Sequence, residues 1–292
     1  MACLYVVGTP IGNLSEVSPR VRETLEGCDV ILAEDTRVTL KLLTALGIQG
    51  KKLLSCYQHN EAGRAAQVVE RMLQEDLCVC MVTDAGTPCI SDPGWRVVDA
   101  AARAGIPVQP ISGPSAVVDA LSVSGLDADS YAFFGFLPRE GKERDQAFDR
   151  LRRCGASLAV VYESPHRVKR LMADVAGQLN DPPVSLSCDL TKLHELTLRG
   201  PASEVLRSLE ANPNAEKGEY VCVIDVRACA AESQPAATPV SVHGLLLERV
   251  FQGMRMKEAV RQVSALPGMS RNEVYRASLE VAAFLEGSEE ET

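Results

Sequence analysis

From Leu4 to Leu121 the chain alternates five times between a short apolar, β-prone run and a helical pattern. The runs are Leu4–Val7, Val30–Ala33, Lys52–Ser55, Leu77–Val82 and Val108–Ile111. The helical stretches carry their own start and stop signals: Ser18-Pro19 before one, Glu34-Asp35-Thr36 before the next, and Gly27 and Gly47 at their ends. Ser or Asp at an N-cap, Pro at the first helical position and Gly past the last turn are the residues helix termini favour. Such a β-α repeat specifies a mostly parallel α/β sheet over residues 1–124.

The loops after these runs hold unusual chemistry. Thr83 to Gly94 reads T-D-A-G-T-P-C-I-S-D-P-G, with two Gly, two Pro, two Asp and three hydroxyl residues. An ordinary strand-to-helix turn has a similar make-up. However, Thr9–Leu14, Glu34–Thr36 and Ser112–Ser115 also follow strands, so all four loops open beyond the carboxyl edge of the sheet. Ligands of open α/β sheets bind there, and the convergence points to a small-molecule site.

Gly125-Leu126-Asp127-Ala128-Asp129 reads as a hinge to a second α/β domain, residues 125–227. Its strands are expected at Tyr131–Phe136, Leu158–Tyr162, Val184–Leu190, Glu195–Arg199 and Tyr220–Val226. Its helices are expected at Arg144–Arg153, Pro165–Leu179 and Ser203–Leu209, with Ser164-Pro165 as a second N-cap-then-Pro start. Residues 228–240 form an Ala/Ser/Gln/Pro linker. Three short helical patterns follow within 241–286, in the proportions of a helix-turn-helix whose turn is Pro267-Gly268-Met269-Ser270. The acidic end, 287–292, reads as a disordered tail.

Composition narrows the function. The net charge of −9 and 4% aromatic content argue against a generally basic, base-stacking coat protein. Basic residues are nevertheless in local excess. From Arg139 to Arg170 nine Lys/Arg face five acids, and from Ser241 to Leu285 six face four. The ten Cys include no C-x-x-C pair and fall mostly in apolar runs, so they read as small buried hydrophobes. With no leader pattern and no apolar run near 18 residues, the expected location is the cytoplasm. G-x-G-x-x-G, P-loop, G-x-S-x-G and H-E-x-x-H motifs are missing, and no metal site is expected.

Nine motifs then occur in order: T-P-I-G-N-L (Thr9–Leu14), A-E-D-T-R (Ala33–Arg37), H-N-E (His59–Glu61), D-A-G-T-P-x-I-S-D-P-G (Asp84–Gly94), G-P-S-A (Gly113–Ala116), G-F-L-P-R (Gly135–Arg139), Y-E-S-P-H-R (Tyr162–Arg167), L-T-K (Leu190–Lys192) and K-G-E (Lys217–Glu219). This order closely resembles the tetrapyrrole methylase superfamily, within it the branch that methylates small-subunit ribosomal RNA. The resemblance covers about residues 4–226. It implies a class III methyltransferase with two α/β domains, a cofactor cleft between them and a small helical C-terminal extension. It further implies S-adenosyl-L-methionine as cofactor, a homodimer, small-subunit RNA or the 30S subunit as partner, and methyl transfer to the 2′-hydroxyl of a cytidine near the decoding centre. Three departures stand out: Gly8 where Pro or an apolar residue is usual, Cys89 at the variable place of the long motif, and Cys188-Asp189 where Arg-Glu is usual.

Carried over residue by residue, the resemblance assigns cofactor contacts to Thr9, Pro10, Asp84, Gly86, Thr87, Pro88, Ile90, Ser115, Ala116, Tyr162 and Leu190. Deprotonating a ribose hydroxyl favours a general base, worth roughly 10²–10⁴-fold. Glu34, Asp35, His59 and Glu163 are the candidates, each with a structural alternative: Asp35 as a helix cap, His59 as a loop hydrogen bond, Glu163 as the partner of Arg167. Lys192 could steady an alkoxide or bind phosphate. Arg139, Lys142, Arg144 and Arg167 are the candidate RNA contacts. Two rivals stay open, a tetrapyrrole C-methyltransferase of the same fold and a non-catalytic RNA-binding assembly protein.

Overall fold

The computed structural model describes residues 1–232, 241–266 and 269–287. It divides into two compact units, Met1–Ala231 and the C-terminal segment from Glu232. Of the linker expected over 228–240, residues 228–232 are helical instead; residues 233–240, the turn residues Pro267 and Gly268, and the end of the acidic tail from Ser288 lie outside the described residues.

The first half of the larger unit runs β1 (Cys3–Val7), α1 (Pro19–Gly27), β2 (Val30–Ala33), α2 (Thr36–Ala45), β3 (Lys52–Ser55), α3 (Glu61–Glu75), β4 (Cys78–Val82), α4 (Trp95–Arg103), β5 (Val108–Ile111) and α5 (Ala116–Val123). The five strands pair in parallel in the order β3-β2-β4-β1-β5. The caps read from sequence are present: Ser18 Oγ accepts the Val21 N–H, and Asp35 Oδ1 accepts the Arg37 N–H. Both sheet faces are covered, so the strands alternate between two cores rather than between core and water. Val30, Leu32, Val79 and Met81 meet α3 and α4, whereas Ile31, Ala33, Cys80 and Val82 meet α1 and α2.

The second half runs β6 (Tyr131–Phe136), α6 (Gly141–Arg152), β7 (Leu158–Glu163), α7 (Val168–Gln178), β8 (Pro183–Cys188), β9 (Leu196–Pro201), α8 (Ala202–Ala211), β10 (Tyr220–Asp225) and α9 (Arg227–Glu232). Its sheet is mixed, in the order β6-β7-β10-β8-β9, and only β6 and β7 run parallel. α7 begins three residues later than the Ser164-Pro165 start expected from sequence. Residues 165–167 form a turn, and Ser164 Oγ receives Arg167 Nε instead of capping the helix.

The two sheets share α5, which explains why the hinge does not separate two compact units. On β7 and β10 the residues Ala159, Val161, Cys222 and Ile224 face α6, α7 and α8. Their neighbours Leu158, Val160, Val221 and Val223 face Val117, Ala120 and Leu121 of α5. The helix that ends the first half is thus a layer on the second sheet. Arg199 of β9 ties its end by donating to the carbonyls of Val123 and Ser124, a cation placed where the helix dipole is negative.

The smaller unit holds α10 (Val242–Phe251), α11 (Met256–Val263) and α12 (Arg271–Gly287), packed around Leu246, Ala259, Val263, Val274, Ala277 and Val281. No helix among the described residues is long and apolar enough to cross a membrane.

Candidate active site

The loops after β1, β2 and β4 are sewn into one surface. The Thr9 and Gly86 main chains exchange hydrogen bonds at 2.8 and 3.1 Å. The buried Thr9 hydroxyl lies within hydrogen-bonding distance of the carbonyls of Thr83 and Gly86. Glu34 accepts the Thr83 hydroxyl at 2.6 Å, and Asp84 accepts the Asp35 N–H at 3.0 Å. Two of the proposed cofactor residues, Thr9 and Asp84, therefore spend polar groups on shaping the site.

The long loop Thr83–Gly94 is irregular and strained. Gly86, Cys89, Ser91 and Gly94 all have positive φ, at 83°, 71°, 66° and 134°. Two are not glycine, and left-handed backbone at such residues costs about 1 kcal/mol or more each. A residue that sequence reasoning left without a role holds the loop's far end. Glu61, at the start of α3 and 3% exposed, accepts the N–H groups of Gly94 at 2.9 Å and Arg96 at 2.8 Å. It does for α4 what a capping side chain does, but from a neighbouring helix. The legible signal was its place in the H-N-E motif at a helix start, where the adjacent Asn60 is already spent on the Tyr57 N–H.

The second sheet supplies the opposite wall. Tyr162 of β7 stacks edge-on against Phe133 and Phe136, with ring centroids 4.9 and 5.6 Å away. Burial pushes its phenol up to about 12, so the hydroxyl keeps its proton. Tyr162, Leu190, Ile11 and Ala116 fall in one apolar cluster. Beside it opens a cleft of about 400 Å³ lined by Gly113, Pro114, Leu190 and Thr191 among others. Gly135 of β6 has φ 62°, and a Cβ there would stand 3.0 Å from Ser91 Oγ, so the long loop rests directly on the second sheet.

The residues around this cleft fit S-adenosyl-L-methionine. The apolar cluster suits an adenine ring. Ser115, the N-cap of α5, makes no side-chain cap bond, which leaves first-turn N–H groups for a carboxylate. Asp119 Oδ2 and Thr191 Oγ1 are buried acceptors with no partner in the protein. Of the other expected cofactor residues, Gly86 and Pro88 are buried in the long loop, Pro10 and Thr87 are half-buried, and Ile90 is 47% exposed.

The catalytic candidates fall into two groups. Asp35 and Glu163 are committed to arginines. Asp35 receives both Nε and an NH2 nitrogen of Arg37, and this hydrogen bonding holds its carboxyl at about 2. Glu163, 2% exposed, meets Arg167 at 2.5 Å. Glu34, His59 and Lys192 remain. His59 is exposed, with its ring 6.4 Å from that of Tyr57. Lys192 contacts Asp189 at 2.9 Å and Glu219 at 3.1 Å, and its stem crosses Gly12 so closely that a Cβ there would displace it. The K-G-E motif earns its glycine next to this pair: a Cβ on Gly218 would meet Asp189 Oδ2 at 2.6 Å. Asp92 was not singled out from sequence. Burial, then the charges of Glu34 and Asp84, push its carboxyl up to about 6 against the opposing hydrogen bond of Thr83.

The basic candidates also separate. Arg139 and Lys142 are exposed. Arg144 is not a surface residue: 3% exposed, it pairs with Asp174 at 2.7 Å and donates to the Pro138 carbonyl at 2.8 Å. Its guanidinium also lies over Phe148. Arg144 is thus a bolt between α6 and α7, buried away from any ligand on the surface. Arg167 is likewise engaged by Glu163, Ser164 and the Leu137 carbonyl.

The model of the Tetrapyrrole (Corrin/Porphyrin) Methylases matches residues 3–206. The ribosomal RNA small subunit methyltransferase I of Halalkalibacterium halodurans is 38% identical over 278 residues, 93% of each chain. The protein of that name in Neisseria meningitidis serogroup B is 41% identical over 221 residues, covering 76% of this chain and 75% of the relative. Among solved structures, a diphthine synthase aligns with TM-score 0.57 at 14% identity, over 79% of this chain and 94% of that one. A uroporphyrin-III-C-methyltransferase from Thermus thermophilus aligns with TM-score 0.51 at 19% identity, over 79% and 96%; at these identities the likeness shows the fold alone. The two-sheet architecture, the ordered motifs and these matches agree that the chain belongs to the tetrapyrrole methylase family.

Proposed function

We propose that this chain is a cytoplasmic, homodimeric methyltransferase that uses S-adenosyl-L-methionine to methylate the 2′-hydroxyl of a cytidine in small-subunit ribosomal RNA, near the decoding centre. The observation that carries the reading is the meeting of Ile11, Ala116, Tyr162 and Leu190, four residues from four separate motifs, in one apolar cluster whose Leu190 also lines the cleft. Relatives named as ribosomal RNA small subunit methyltransferases, similar over most of their length, support the acceptor class. When bound, the cofactor supplies a methyl group already activated on a sulfonium.

The chain's own part is to hold and orient. The apolar cluster would take the adenine, the Thr9–Pro10 and Asp84–Ile90 loops would flank the donor, and the open first turn of α5 would receive the carboxylate. Fixing donor and acceptor in line is worth several kcal/mol. Lys192 leaves the Leu190 loop beside the cleft. Burial alone would lower its pKa, but the hydrogen bonds it donates to Asp189 and Glu219 outweigh that and raise it. It therefore stays charged and suits a developing alkoxide or a phosphate. Glu34 and His59 are the proton acceptors left uncommitted by arginine. Arg139 and Lys142, both exposed, are the candidates of the second half that would meet RNA phosphates.

The test is to incubate the purified chain with labelled donor and small subunits from cells lacking it, then map ribose methylation. One new 2′-O-methylcytidine is expected. Label on a porphyrinogen and none on RNA, or donor binding without transfer to any RNA, would overturn the proposal.

A further inference from the structure

The helical unit presents a surface that the methyl-transfer site does not use. Between α11 and α12 runs a groove of about 530 Å³. Lys257 and Arg261 of α11 and Ser264 just past its end line it on one side, and Arg271, Asn272 and Tyr275 of α12 on the other. The helical repeat explains the arrangement. Positions 257, 261 and 264 share one face of α11, while Ala259 and Val263 are buried on the other. On α12 the buried residues are Val274, Ala277, Ser278 and Val281, while Arg271 and Tyr275, one turn apart, line the groove.

Three cations line this groove and no carboxylate does. Among the described residues Lys257 and Arg271 enter no ion pair, and Arg261 has only the exposed Glu258 at 3.6 Å. In a chain of net charge −9, such local concentration needs a reason. Tyr275 adds one. It is 61% exposed, in a chain with only six tyrosines. Cations spaced along a groove with an exposed aromatic ring, Asn and Ser between them suit a nucleic-acid strand: phosphates on the cations, an unstacked base on the ring.

We infer that the α11–α12 groove binds RNA, with Lys257, Arg261 and Arg271 on phosphates and Tyr275 under a base, as a second handle on the substrate. This rests on the RNA-methylating reading for the identity of the strand. An acidic protein segment would also suit the three cations, but it would leave Tyr275 without its stacking partner.

The experiment uses the full chain and a triple variant, Lys257→Glu, Arg261→Glu and Arg271→Glu, alongside Tyr275→Ala and the charge-keeping Lys257→Arg/Arg261→Lys/Arg271→Lys. Direct binding of a labelled single-stranded RNA cut from the small-subunit sequence is measured against salt, with thermal melting and S-adenosylmethionine binding as folding controls. The triple variant should bind at least tenfold more weakly and show a shallower salt dependence, Tyr275→Ala should weaken binding severalfold, and the charge-keeping variant should match wild type. Unchanged affinity and salt slope in the folded triple variant overturn the inference. Loss of binding in the charge-keeping variant as well overturns it too, because a phosphate contact needs only the charge. Because this readout is binding, it can succeed where the methylation assay fails, and the two ideas are judged separately.

Discussion

The carboxylate of Glu61 accepts the main-chain N–H of Gly94 at 2.9 Å, and it does so from another helix, buried from water. Glu61 also takes the Arg96 N–H, so one side chain fixes the end of the strained loop and the start of α4. Glu61→Ala would leave two N–H groups without partners in a buried place, a loss of about 2–3 kcal/mol. The expected outcome is a lower urea midpoint and a weaker Kd for S-adenosylmethionine by calorimetry, with Glu61→Gln restoring much of both. An unchanged Kd in folded Glu61→Ala would separate the loop from the cofactor.

Asp92 makes the protein sensitive to pH in an unusual direction. Its carboxyl titrates near 6 when folded, above its ordinary 3.8. The folded state therefore holds more protons than the unfolded chain between about pH 4 and 6, and stability falls as pH rises through that window. Asp92→Asn should raise Tm at pH 8 by roughly 2–4 °C, since partial exposure screens much of the penalty. Below pH 4 the difference should vanish. Equal Tm for the two proteins at pH 8 would contradict the burial argument.

Arg144 and Arg139 should fail differently. Arg144→Ala leaves Asp174 with only the longer contact to Arg170 at 3.9 Å, and breaking such a pair costs about 3 kcal/mol. Chemical denaturation should record that loss. Arg139→Glu should leave the denaturation curve alone and weaken RNA binding severalfold, with cofactor affinity unchanged. Equal loss of RNA and cofactor binding in Arg139→Glu would argue against a phosphate role.

Lys192→Met keeps most of the stem that crosses Gly12 and removes the charge. The expected result is a fall in kcat of at least tenfold with the donor Kd within about twofold. Gly12→Val should reproduce part of the kcat loss by displacing the stem. A rise in KM alone would instead mark Lys192 as a binding residue.

Much of this was legible in the chain. The period of apolar runs gave the parallel sheet, and Ser18, Asp35 and Ser115 marked helix starts that the structure keeps. What escaped had one cause: side chains acting at a distance in sequence. Glu61 caps a helix 33 residues away, and Arg199 closes α5 from 75 residues on. Arg144 looked like a surface cation because charge on a helix usually is one, and nothing local reveals Asp174 across the interface. The hinge at Gly125 was visible, but sequence spacing cannot show that α5 is a layer of the second sheet.

That shared helix has a consequence for anyone recombining these enzymes. Gly125 looks like a natural splice point, yet a graft made there would give the incoming sheet a foreign Val117, Ala120 and Leu121 against its Val160 and Val223. The inheritable module on the acceptor side begins ahead of Gly113, so that α5 travels with the strands it covers. Gly113 itself must then be matched to the donor's β1, because a Cβ there would stand 2.7 Å from the backbone of Gly8.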